Sequence, residues 1–431
     1  MPARDVAPLG AAIGAYGIAM AFLSTTTSLF LADAVHATAL LIGMFFVVRG
    51  LVAIPINVIS GRLSDRLSDR RVLILTGGVA QAAGAACFTV LRGYPGILVT
   101  GALLVGLGGM CFTQLFAYSS ELAAARGRPV MPFTSAMRSL LSAAWVAGPP
   151  AGLFLLTRYG FAPLYLATAA LSLVTAALGG WGLRRVPAAA KAPEPAVIPE
   201  PVMLPEDAGI PEAAGVPALP AAAPARRKRA FLPDLPVRLW LLIAAVVVVG
   251  MVNQVYGINI ALYVTKDLHH GAQLVGWMAG ACAGLEVPVM IVAGRLAGRL
   301  GRTRLVIVSA VGATAFFCLL PLASSPAALL GLQVLNAAWV GISLSLPMVM
   351  IQDEAPGGVG QSSSLYSSAF TVAQLLAGAI AGVTASAIGF GKTFWVCAAL
   401  CAVATGLLVA RALPLADRSA KAAAEAAQQR H

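Results

Sequence analysis

The sequence predicts an all-α membrane protein of twelve transmembrane helices, arranged as two pseudo-symmetric six-helix halves. Three observations lead there. Hydrophobic residues make up 59% of the 431 residues and charged residues only 11%, against roughly 25% charged in an ordinary soluble domain. The apolar residues gather into twelve stretches, each of about 20 residues, enough at about 1.5 Å per residue to cross a hydrocarbon core of about 30 Å. Finally, Ile54–Leu63 (IPINVISGRL) in the first half reappears as Val287–Leu296 (VPVMIVAGRL) in the second. The same offset aligns Ile42-Gly43 with Val275-Gly276, Glu121 with Glu354, and Ser135-Ala136 with Ser368-Ala369.

The first half, residues 1–185, holds spans at 9–32, 38–60, 72–92, 96–120, 133–157 and 162–183. Its first apolar stretch is too long for a signal peptide and lacks a convincing cleavage site, so it is expected to stay as a helix. Residues 186–236 are rich in Pro and Ala, with an acidic patch at Glu206-Asp207 and a basic run at Arg226–Arg229. With no apolar periodicity and too much proline for a packed core, this segment reads as a disordered cytoplasmic linker. The second half, 237–413, holds spans at 238–263, 272–294, 304–323, 326–351, 363–388 and 392–412. The tail, 414–431, reads as a short cytoplasmic segment with no deducible role. Two copies of one membrane hairpin, one in each half, are a common plan of secondary transporters.

The placement of Lys and Arg orients the chain. With both termini and the even-numbered loops inside, 23 of the 29 basic residues lie inside, four lie outside (Arg92, Arg158, Lys266, Lys392) and two (Arg49, Arg138) fall within spans. This is the positive-inside pattern. It explains the net charge of +12 as topology, so no nucleic-acid partner is expected. All six cysteines lie in apolar stretches without metal-ligand spacing, and no metal site is expected.

Two loops are specific. Gly61-Arg62-Leu63-Ser64-Asp65-Arg66 continues to Asp69-Arg70-Arg71 between spans two and three, and Gly294-Arg295-Leu296-Ala297-Gly298-Arg299 lies between spans eight and nine. Both resemble the cytoplasmic loop signature of the major facilitator superfamily, although Gly298 stands where the signature has an aspartate. The strings Gln114-Leu115-Phe116-Ala117, Met137-Arg138, Ala144–Pro150, Ala283–Pro288 and Gln352-Asp353 are similar to those of the bacterial sugar-efflux transporter group within that superfamily. The resemblance covers nearly the whole chain except the linker and tail. It implies the major facilitator fold, a bacterial plasma (inner) membrane location with both termini cytoplasmic, and proton-linked export of sugars, oligosaccharides or glycosides. A monomer in membrane lipid is expected, with a small-molecule substrate and no cofactor, the proton gradient being the energy source.

Ionisable residues inside a bilayer cost several kcal/mol on insertion scales and are functional candidates by default. There are three here: Arg49, Arg138 and Glu286. Arg138 lies about seven residues, roughly 10 Å, from the cytoplasmic start of its span, and Glu286 about eight residues, roughly 12 Å, from the cytoplasmic end of span eight. In the superfamily's fold, spans five and eight meet across the interface between halves, which implies an Arg138–Glu286 ion pair bridging them. A neighbouring guanidinium favours the ionised carboxylate and a dry seam the protonated one, so making and breaking the pair would couple protons or gate the cytoplasmic side. The alternatives are a permanent structural bridge, or Arg138 snorkelling to the surface. Arg49, near the middle of span two, is a candidate for binding substrate hydroxyls or a carboxylate, with an internal structural pair as the other reading. It is not among the strings shared with the sugar group.

Sugar binding calls for amides, hydroxyls and aromatic faces. Span seven offers Asn253, Gln254, Tyr256 and Asn259, and span ten offers Gln333 and Asn336. Gln114 and Trp145 complete the substrate-binding candidates. The competing reading of the amides is hydrogen-bonded glue between helices. Glu121, Asp353 and Glu354 are expected to pair with Arg62, Arg66 and Arg295, forming with Gly61, Asp65 and Gly294 a cytoplasmic gate; solvated surface charge is the alternative. Gly148-Pro149-Pro150-Ala151-Gly152 suits a hinge or a static kink. An antiporter for drugs or other small metabolites, an importer, and a non-transporting sensor are the competing functions. No nucleophile–base set or phosphate loop supports an enzyme.

Overall fold

In a computed structural model, residues 3–67, 69–183, 235–355 and 358–413 are described. The linker and tail expectations fall almost wholly on residues outside these. The described chain forms twelve helices long and apolar enough to span a membrane. They are α1 (Ala3–Asp33), α2 (Ala39–Arg66), α3 (Arg71–Val90), α4 (Tyr94–Ala125), α5 (Val130–Tyr159), α6 (Phe161–Gly182), α7 (Val237–Asp267), α8 (Ala272–Leu300), α9 (Arg302–Leu322), α10 (Pro326–Glu354), α11 (Gly358–Ile388) and α12 (Phe390–Ala412). No strand occurs among the described residues.

Local chemistry sets the ends. Thr38 caps α2, its hydroxyl accepting from the Leu41 N–H at 3.4 Å, and Ser325 caps α10 in the same way at 3.2 Å, with Pro326 opening the helix. Gly160 (φ 85°) and Gly389 (φ 90°) make the tight α5–α6 and α11–α12 connections, using a conformation that suits glycine. One expectation is corrected here. Gly61–Ser64 and Gly294–Leu300 are not loop but the last turns of α2 and α8. No proline interrupts either segment, and buried Ser64 gives the α2 extension a packed face.

Each half repeats one arrangement. Helix α1 packs on α5 and α6, and α3 on α6; α7 packs on α11 and α12, and α9 on α12. The aromatic core repeats too. Phe30 meets Phe161 edge-on at 5.4 Å, and their mates in the second half, Tyr263 and Phe394, meet edge-on at 5.3 Å.

The halves touch along α2·α11, α5·α8 and α1·α7. The first two seams are tight at the end of the bundle remote from the termini, here the far end. Gly43 lies against the backbone of Gly378 and Gly382, where even a β-carbon would collide. A β-carbon on Gly276 would lie 2.9 Å from the Cα of Pro150, and one on Gly280 would lie 2.8 Å from the Val146 carbonyl oxygen. Toward the terminus-bearing end the contacts relax: a β-carbon on Gly284 would lie 3.8 Å from the nearest atom, of Val146, and one on Gly61 would meet nothing within 4 Å. At the far end Asp33 of α1 and Lys266 of α7 form an ion pair between the halves.

Candidate functional site

Where α5 and α8 part, they enclose a cavity of about 330 Å³ whose lining includes Ser139, Ser142, Trp145, Glu286, Met290 and Ile291. Two hydroxyls, one carboxylate and an indole are thereby presented to a largely apolar space. The site exists because Gly276 and Gly280 pin α8 against the Pro149-Pro150 segment above it. Extended by whole residues, that antiparallel register brings Glu286 level with residue 140, within about 3 Å of Arg138 along the axis. Gly341 on α10 makes room for the acid, since a β-carbon there would stand 3.4 Å from the Glu286 Cγ. Arg138 is half-buried, and its guanidinium lies over the Phe116 ring at 5.5 Å.

Arg49 sits on the inward side of α2, about 150° round the helix from Met44 and Leu51, which are 54% and 52% exposed. Buried Tyr16 of α1 lies within electrostatic reach of its guanidinium.

The amide candidates lie elsewhere. Tyr256 is packed among Phe316, Phe317 and Phe394 and donates to Gln333 Oε1 at 3.4 Å. Asn336 Nδ2 donates to the same oxygen at 2.8 Å, and Gln333 Nε2 donates to the Leu329 carbonyl at 3.0 Å. Gln333, Asn336 and Asn259 are all buried; Asn253 and Gln254, on the same helix, are half-buried. The Tyr256–Gln333–Asn336 group is thus hydrogen-bonded within the second half, and its members are not among the residues that line the α5–α8 cavity. Gln114 likewise belongs to a buried network near the terminus-bearing end. Its Oε1 accepts from Ser64 Oγ at 3.0 Å and from Arg70 Nη1 at 3.2 Å, while its Nε2 donates to Ser60 Oγ at 3.4 Å.

Among the described side chains, the acids expected to meet Arg62, Arg66 and Arg295 have other partners. Glu121 accepts from Arg70 Nε at 2.7 Å, Asp353 pairs with Arg302, and Glu354 pairs with Arg411. Because α2 and α8 continue as helices, Arg62 and Arg295 are carried onto exposed faces, while Arg70, beyond the end of α2, turns back to α4. The side chains of Asp65 and Arg66 lie outside the described residues. Gly61 and Gly294 occupy the extended last turns of α2 and α8.

The sequence profile described as Major Facilitator Superfamily matches residues 9–263 and 242–431. The chain belongs to that superfamily. This superfamily member is 33% identical to sugar efflux transporter B of Salmonella typhimurium over 92% of each chain. It is 32% identical to sugar efflux transporter A of Dickeya chrysanthemi over 90% of each, and 30% identical to sugar efflux transporter C of Escherichia coli over 90% of this chain and 91% of that one. Among solved structures it resembles the nucleoside transporter NupG, with a TM-score of 0.74 at 12% identity over 95% of this chain and 99% of that one. A bacterial homologue of the iron transporter ferroportin, in an inward-facing state, gives 0.68 at 15% identity over 94% and 97%. Identities this low speak for the fold alone. As a superfamily member the protein is a multi-pass membrane transporter and not an enzyme.

Several site residues escape a reading of the sequence: Ser139, Ser142, Gly341, Arg70 and Arg411, and the Asp33–Lys266 pair. Only the last carries a signal, since its members stand at the same offset as the repeat.

Proposed function

We propose that this chain is a proton-coupled exporter of sugars, oligosaccharides or glycosides. It works as a monomer by alternating access in the bacterial inner membrane, with both termini in the cytoplasm. The observation that carries the reading is Glu286, a carboxylate inside the membrane, lining the cavity between the halves at the depth of Arg138. The sugar-efflux names of relatives about 30% identical over nine-tenths of the chain supply the substrate class. With the basic end inside, the tight seams close the outer face and the α5–α8 cavity opens inward, the state in which an exporter loads. Ser139 and Ser142 suit sugar hydroxyls and Trp145 suits a pyranose face. As the halves rock, Arg138 approaching Glu286 favours release of its proton, and separation in a dry seam favours uptake. Arg70–Glu121, Arg302–Asp353 and Arg411–Glu354 act at the cytoplasmic gate.

The test uses purified protein in liposomes with an imposed pH gradient, radiolabelled sugars, cationic dyes and the variant Glu286→Gln. Gradient-driven sugar movement is expected, with Glu286→Gln still exchanging sugar but blind to the gradient. Full pH-dependent export by the variant would end the coupling role. The second reading, an antiporter of amphipathic drugs, is favoured by the apolar share of the cavity, including Val146, Val287, Met290 and Ile291. Dye movement without sugar movement would select it.

A further inference from the structure

Arg49 stands ten residues into α2, about 15 Å from the far end and so near mid-membrane depth. It faces away from the lipid side of its helix and is half-buried. Buried Tyr16 of α1 lies within electrostatic reach of its guanidinium, and among the described residues no carboxylate pairs with it. The repeat makes this more pointed. The equivalent position in the second half is Cys282, beside Tyr256, so at this place the second half supplies a thiol and no matching acid. A fixed cation without a protein counter-charge is expensive inside a membrane. A structural arginine would be expected to have its acid beside it, as Arg70 has Glu121.

We propose that the counter-charge is brought by the solute: Arg49 binds an anionic group on the transported sugar, so that acidic sugars are the preferred cargo. This rests on the sugar-export reading and narrows it. Guanidinium offers a planar fork of N–H donors that matches a carboxylate or a phosphate in two parallel hydrogen bonds. The same cation repels a cationic drug. Counted from the far end, Glu286 lies fourteen residues into α8 and Arg49 ten into α2, about 6 Å apart in depth. One solute would then have its charge held by the first half and its hydroxyls near the α5–α8 cavity.

The experiment is equilibrium exchange in proteoliposomes carrying the full chain, with radiolabelled galacturonate, glucose 6-phosphate and galactose. It compares the unaltered protein with Arg49→Gln and Arg49→Lys. The unaltered protein is expected to exchange one of the two anions about tenfold more efficiently than galactose, the size of one good charge-assisted contact; which anion wins separates carboxylate from phosphate. Arg49→Gln should lose that advantage, its anion exchange falling about tenfold relative to its galactose exchange. Arg49→Lys, which keeps the charge, should retain part of it and serves as the reading if the glutamine variant does not fold. Equal exchange of acid and neutral sugar by the unaltered protein, or an equal loss of both in Arg49→Gln, overturns the assignment and leaves sugar export standing. Movement of cationic dyes with no sugar of either class overturns both.

Discussion

Gly43 and Gly276 hold equivalent positions in the two halves, and each lets its helix touch the backbone of a helix from the other half. Gly43 of α2 lies on Gly378 and Gly382 of α11, and Gly276 of α8 lies on Pro149 and Pro150 of α5. The partners are equivalent as well, since Gly382 is the repeat mate of Pro149. The closed far end is thus one contact built twice.

Either glycine replaced by alanine should wedge that end apart. The added carbon would meet backbone, which has no rotamer to give. Overpacking of this kind costs about 1–3 kcal/mol, a shift of about five- to 150-fold between closed and open far ends. Gly43→Ala and Gly276→Ala are therefore expected to raise labelling of far-end cysteines introduced beside α2 and α8 and to slow transport. Labelling equal to that of the unaltered protein would count against the seam's role.

Two of the ion pairs at the terminus-bearing end should differ sharply in worth. Arg70 and Glu121 are only 6% and 9% exposed, whereas Arg302 and Asp353 are 45% and 59% exposed. Removing one partner of a buried pair strands the other charge and costs about 3–5 kcal/mol; an exposed pair is worth about 1 kcal/mol or less. Thermal unfolding in detergent should show a large fall for Arg70→Ala and almost none for Arg302→Ala.

The Asp33–Lys266 pair joins the halves only when the far end is closed. Asp33→Lys should favour opening by repulsion, and adding Lys266→Asp should restore closure. Both residues are well exposed, so the coupling is at most about 1 kcal/mol, close to fivefold in transport rate or in far-end accessibility. A double-mutant cycle with no coupling energy would remove the pair from the gate.

Tyr256 separates a clasp from a binding site. As a clasp, Tyr256→Phe loses one part-buried hydrogen bond, about 1 kcal/mol of stability or less, and leaves substrate affinity unchanged. A variant with unaltered melting but tenfold weaker sugar binding would return Tyr256, Gln333 and Asn336 to the transport path.

Much of this architecture is legible in the chain. Twelve apolar stretches and one offset predict the spans and the pairing of halves, because helix length and lipid exposure are local demands. Which way a polar residue faces is not local. Asn259, Gln333 and Asn336 avoid lipid, but the interior of a half and the space between halves avoid it equally. The ion pairs are unreadable for a different reason. Arg411 reaches Glu354 from the end of α12, and only the packed bundle brings those helix ends together. Glu286 and Arg138 stand out because a charge in a long apolar stretch needs no fold to be conspicuous.

Asp33 and Lys266 also record something about origins. A residue can meet its own repeat mate only at the axis relating the halves, so this pair marks where that axis leaves the molecule. Two separate copies of one six-helix chain would present the same side chain from both sides, acid facing acid or base facing base. Opposite charges at one self-facing position are open only to copies that differ in sequence, as the two halves of this chain do. The bond that closes the far end is one that a symmetric dimer of identical chains has no means to form.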